Sequence, residues 1–138
     1  MTKREFARDN LCFVCGPENA GGLRLDPSSE DGRALIEWTP PATYQGYAGV
    51  LHGGVISTLM DEAMAHAVLS RVGRAPTVEI NVQFVKPVRT DVPLRVTAEV
   101  IEQRRRIVLA EAELVQEGEV RARAAGKFVV VPKPASEG

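Results

Sequence analysis

A histidine and two glycines, followed about two helical turns later by adjacent carboxylates, give the segment AGVLHGGVISTLMDEAM (residues 48–64) the parts of a carbonyl-activating site. The first turn of a helix presents backbone N–H groups without intrahelical partners, and the macrodipole adds partial positive charge there. Gly53 and Gly54 carry no side chains, so an oxygen can approach those N–H groups closely. Aimed at a carbonyl, they polarise it and stabilise the oxyanion formed on attack, and losing one such donor typically costs about 100- to 1000-fold in rate. The same dipeptide also serves as a tight turn that needs glycine torsions. His52, just ahead of the helix, either hydrogen-bonds near the carbonyl or fixes the loop.

Asp61 follows Gly54 by seven residues, which puts it on nearly the same helix face about 10.5 Å along the axis. That is too far for both to touch one carbonyl. If they cooperate, Asp61 must face the Gly53-Gly54 turn of a second copy of the chain, and a symmetric dimer then holds two equivalent sites. Ser57, Thr58 and Ala65 neighbour Asp61 on the helix and are all small, whereas Glu62 has His66 at i+4 as a ready local partner. A carboxylate beside a polarised carbonyl attacks it directly or acts as general base on water. The alternative for both carboxylates is a solvated helix surface.

The elements around this segment read from periodicity. From Gly54 to about Arg71 runs the only long helical candidate, apolar nearly all round and therefore buried, with Gly73 as its stop. Before it, GPENAGG is a loop, LRL a short strand, GRALIEW a strand, and TPPATYQGYAG a punctuated loop of the kind that carries function. After it come TVEINVQFVKPV, VPLRVTAEVIE, RIVLAEAELV and VRARAAGKFVVV, each alternating and joined by short turns, so they pair antiparallel. The expected class is α+β: a curved antiparallel sheet of five to six strands wrapped around one long central helix. One domain spans 1–138, with 132–138 as a tail.

Composition narrows the partners. A net charge of −1 gives no footprint for nucleic acid, and Arg104-Arg105-Arg106 reads as a solvated turn. No apolar run reaches the roughly 20 residues of a membrane span, and MTKREFARDN has no apolar core to make it a secretory signal, so the expected location is cytoplasmic. Cys12 and Cys15 in CFVCG are structural loop thiols, half of a metal site or a redox pair. A closed zinc site needs four ligands, no second cysteine pair follows, and His52 or His66 could join only by distant folding. No G-x-S-x-G elbow is present.

YQGYAGVLHGGVISTLMDEAM, TVEINVQFVKPV and the opening CFVCGPENAGGLRL together resemble the hot-dog fold acyl-CoA thioesterases, in particular the phenylacetyl-CoA thioesterase (PaaI-like) branch, over about residues 11–131. The resemblance implies hydrolysis of an acyl-CoA to free acid and CoA in a homodimer or a homotetramer built as a dimer of dimers. It implies Gly53 as carbonyl donor, Asp61 as nucleophile or base supplied across the dimer, Thr77 as the hydroxyl that orients water, and His52 as a further catalytic candidate. Gln45, Gly54, Glu62 and Asn81 are its substrate-binding candidates, and it implies neither a metal nor a cofactor. Two other readings stay open. One is a hot-dog hydratase or dehydratase on acyl thioesters, and the other a non-catalytic acyl-CoA-binding module.

Overall fold

The computed structural model describes residues 10–132, so most of the expected C-terminal tail, from residue 133, lies outside the described residues. In chain order the elements are β1 (Ser28–Glu30), β2 (Arg33–Trp38), a 3-10 turn (Ala42–Tyr44), α1 (Gly53–Val72), β3 (Thr77–Phe84), β4 (Leu94–Arg104), β5 (Ile107–Gln116) and β6 (Glu119–Val129). The strands form one antiparallel sheet in the order β1-β2-β4-β5-β6-β3.

Alternation decides which sheet face closes on the helix. Leu94, Val96 and Ala98 of β4, and Val108, Ala110, Ala112 and Leu114 of β5, are buried between exposed Arg95, Thr97, Glu99, Glu111 and Glu113. Their partner is α1, whose Leu59, Met60, Ala63, Met64 and Ala67 have no exposed surface. A helix apolar on so many sides needs a partner that curves around it, and β1 to β6 all contact α1. This is the hot-dog arrangement expected above. Gly73 ends α1 at φ +92° and its N–H returns to the Leu69 carbonyl at 3.2 Å.

Two features depart from the sequence reading. LRL (23–25) is not a strand of the sheet; the Leu23 and Leu25 N–H groups donate to the Phe13 and Val14 carbonyls at 2.7 and 2.8 Å, tying this segment to the cysteine loop. The first strand is the polar Ser28–Glu30, which carries no apolar alternation and pairs with β2 as a hairpin edge. Buried Gln116 fastens the β3–β4 connection: its Oε1 accepts from Arg89 N at 2.8 Å, and its Nε2 donates to the Arg89 and Val92 carbonyls at 2.9 and 3.0 Å.

Candidate active site

The N-terminus of α1 is organised by the loop before it. Gln45 Oε1 accepts from Gly49 N at 3.0 Å, His52 N donates to the Tyr44 carbonyl at 3.0 Å, and Leu51 N donates to the Val88 carbonyl at 2.7 Å. Held there, His52 is the N-cap, with φ −61° and ψ 136°, and its Nδ1 accepts from Gly54 N at 2.9 Å. In the neutral ring, an accepting Nδ1 leaves the proton on Nε2. A Cβ at residue 54 would stand 3.1 Å from His52 Nδ1, so glycine there lets the imidazole fold over the helix end.

His52 thus takes up the Gly54 N–H and leaves that of Gly53. Among the described residues no acceptor faces the Gly53 N–H. It opens on a groove of about 590 Å³ lined by Tyr47, Val50, His52, Ile56 and Phe84 among others, mostly apolar, with no carboxylate in its walls. Phe84 lies 3.5 Å from where a Gly53 Cβ would sit, so it forms the wall beside the free N–H. Sequence reasoning missed Tyr47 and Phe84; the signal for Phe84 was an aromatic at the end of a strand next to Val85 and Pro87.

Asp61 is half-buried two turns further along α1, and Thr77 Oγ1 donates to its Oδ1 at 2.7 Å. Thr77 reaches the helix because β3 is bulged. Ile80 and Asn81 pair with Gly126 and Ala125 in regular register and Glu79 pairs with Lys127, but Thr77 pairs with Phe128, so one extra residue intervenes. Phe128 is fully buried on the helix side, and Thr77 opposite it points the same way. Without the bulge, alternation would have turned the hydroxyl to the outer face. Ser57 Oγ and Thr58 Oγ1 donate back to the Gly53 and Gly54 carbonyls at 3.0 and 2.9 Å, so neither hydroxyl competes for Asp61.

The remaining sequence candidates lie elsewhere. Glu62 turns away from Thr77: its Oε2 is 3.1 Å from His66 Nε2, and a carboxylate oxygen lies within 4.8 Å of the Cys15 sulfur. Asn81 lies on the outer face of the sheet and, with Gln83 and Arg123, lines a groove of about 620 Å³. Gln45 serves the loop, as above. The structure therefore brings together His52 with Gly53 and, separately, Asp61 with Thr77. Arg71, in the last turn of α1, is engaged with Asp31 through Nε at 3.3 Å and through Nη2 to its carbonyl at 2.7 Å.

A free N–H at an apolar groove and a hydroxyl-bound carboxylate are the parts of a carbonyl-attacking site, and known proteins carry the same frame. The thioesterase superfamily profile matches residues 48–122, from the loop before α1 into β6. A Saccharolobus solfataricus protein provisionally named an esterase is 33% identical over 92 residues, covering 64% of this chain and 61% of that protein, so the chain spans about three fifths of that relative. Human acyl-coenzyme A thioesterase 13 is 25% identical over 104 residues, 74% of this chain and 70% of the relative. Among solved structures, the Escherichia coli PaaI protein of the phenylacetic acid degradation operon superposes with a TM-score of 0.73 at 26% identity, covering 78% of this chain and 84% of that one.

Proposed function

The chain belongs to the thioesterase superfamily, and from that premise we propose that it hydrolyses an acyl-CoA thioester to free acid and CoA at a site completed by two copies of the chain. The observation that carries the reading is the division of the site. The groove at Gly53 has a free donor and no carboxylate, while the Asp61–Thr77 pair stands about 12 Å along the same helix. A second copy packed antiparallel along α1 would set its Asp61 against this Gly53, and the reverse.

In this reading the thioester carbonyl accepts from Gly53 N–H, and the neutral His52 ring offers Nε2–H as a second donor at the same groove. Asp61 of the partner subunit, aligned by its own Thr77, attacks the carbonyl or takes a proton from water. A thioester is already activated, so one oxyanion donor and one carboxylate suffice without a metal. Tyr47, Val50, Ile56 and Phe84 would then receive the acyl chain. The human relative's acyl-CoA activity supports CoA as the thiol.

The sheet edge supports the oligomer. β3 ends the strand order and exposes Val78 (56%), Ile80 (37%) and Phe84 (55%), an apolar edge that a lone chain would leave open to association. A homodimer or a dimer of dimers covers it. The hydratase alternative fits less well, because His52 Nδ1 is engaged by the helix and the ring is not placed as a two-sided proton carrier.

The test is thiol release from a panel of aryl, short, medium and long acyl-CoAs, with Asp61→Asn and Asp61→Ala beside the wild type. The expected result is turnover of at least one class, lowered by about 100-fold or more in both variants. Turnover of none, or full rates in both variants, would overturn the reading. Enoyl-CoA hydration, followed by loss of enoyl absorbance, would favour the hydratase instead.

A further inference from the structure

The thioester chemistry leaves Cys12 and Cys15 unused, yet the fold places them with care. Gly16 N donates to the Cys12 carbonyl at 2.8 Å, closing a turn that brings the two thiols together. A Cβ at residue 16 would lie 2.4 Å from Cys12 N, so the turn admits only glycine. Asn19 braces the loop through its Nδ2 to the Leu11 carbonyl and its Oδ1 from Gly21 N, both at 2.9 Å. The loop then lies against α1, and Cys12 Sγ, Cys15 Sγ and a Glu62 carboxylate oxygen all come within 4.8 Å of one another. Cys15 is 2% exposed and the Glu62 side chain 13%.

We propose that Cys12, Cys15 and Glu62 bind a divalent transition-metal ion of the zinc type, with His66 as the residue that positions Glu62. Bond lengths of about 2.3 Å to sulfur and 2.0–2.2 Å to oxygen set tetrahedral ligand atoms roughly 3.5–3.8 Å apart, so the cluster closes with shifts of about 1 Å. Two thiolates select zinc over the hard cations magnesium and calcium. The two thiols and the Glu62 carboxylate share one poorly solvated spot, and His66 contacts Glu62 there. On binding, two thiol protons leave to water and two S–metal bonds form in their place, with the Glu62 oxygen as third ligand and water at the fourth corner.

His66 Nε2, 3.1 Å from Glu62 Oε2, holds the carboxylate in the manner of an outer-shell partner. The ion would act as a clasp between the N-terminal loop and α1, at the residue next to Asp61. This inference concerns a site separate from the reaction, so it stands or falls independently of the proposed hydrolysis.

The test uses the full chain, reduced, freed of metal and handled without oxygen, titrated with Co²⁺. The expected result is a thiolate-to-cobalt charge-transfer band with tetrahedral d–d absorption, saturating at one ion per chain and displaced by Zn²⁺. Cys12→Ser, at the half-buried position, and Cys15→Ser should each lose that spectrum while circular dichroism reports a folded chain. His66→Gln should keep the band but weaken Zn²⁺ binding by about 10- to 100-fold. Absence of a thiolate band in the folded, reduced wild type, or an unchanged band in folded Cys12→Ser, would overturn the proposal. So would a Cys12–Cys15 disulfide in protein isolated without reductant whose thiols, once freed, bind no Co²⁺.

Discussion

Gly53→Pro removes one hydrogen-bond donor and little else. Residue 53 is the first of α1, the helical position where proline is favoured because its missing N–H has no intrahelical partner. His52 already holds φ −61° and ψ 136°, the extended geometry that a following proline requires. A side chain at 53 meets Phe84 at 3.5–3.6 Å, an ordinary contact. Among the described residues the Gly53 N–H has no acceptor, so folding loses no hydrogen bond there. If that N–H polarises the thioester, kcat should fall about 100- to 1000-fold, a loss of about 2.7–4 kcal/mol of transition-state stabilisation. Gly53→Ala keeps the donor and should stay far closer to wild type. The assay is thiol release on the best acyl-CoA, with melting temperature and circular dichroism as folding controls. A folded proline variant within about threefold of the wild-type kcat would refute the donor role.

Three further outcomes follow from individual contacts. Thr77→Val deletes the 2.7 Å bond to Asp61 and, at about 1.5–3 kcal/mol for a hydrogen bond to a charged group, should lower kcat roughly 10- to 150-fold, while Thr77→Ser restores most of it; equal defects in both would refute the orienting role. His52→Asn preserves an N-cap but not the Nε2–H, so melting should change little while kcat falls, whereas His52→Ala should also cost about 1 kcal/mol of stability; identical melting of the two would count against the capping role. Gln116→Leu leaves Arg89 N and the Arg89 and Val92 carbonyls without this partner, and urea denaturation should show a loss of about 2–4 kcal/mol; a wild-type midpoint would refute that role.

What could be read from the chain was what a fixed period dictates. The apolar wrap of residues 54–71 and the alternation of the later strands placed α1 and β3 to β6, and helical pitch alone separated Gly54 from Asp61. The misreadings came from elements without a pattern. Polar β1 has no alternation to reveal it, and LRL resembles a strand but pairs with a loop. Thr77 came to the fore through resemblance, yet its inward turn depends on a one-residue bulge that no periodicity announces. Glu62 was linked to His66 by helical spacing, whereas its meeting with Cys15 joins segments distant in the chain and needed the fold. The resemblance named Gly53 as the donor, but residue types alone did not choose between Gly53 and Gly54, because which N–H stays free depends on the rotamer of His52.

If each site takes its donor from one subunit and its carboxylate from another, subunit mixing reveals it directly. Gly53→Pro and Asp61→Ala are each expected to be nearly inactive alone. In a mixed dimer, one site combines the intact Gly53 of one chain with the intact Asp61 of the other, while the second site carries both lesions. Random exchange of equal amounts makes about half the dimers mixed, so thiol release should recover to about a quarter of wild type. A mixture that verifiably forms mixed dimers yet stays as inactive as its parents would contradict the shared site.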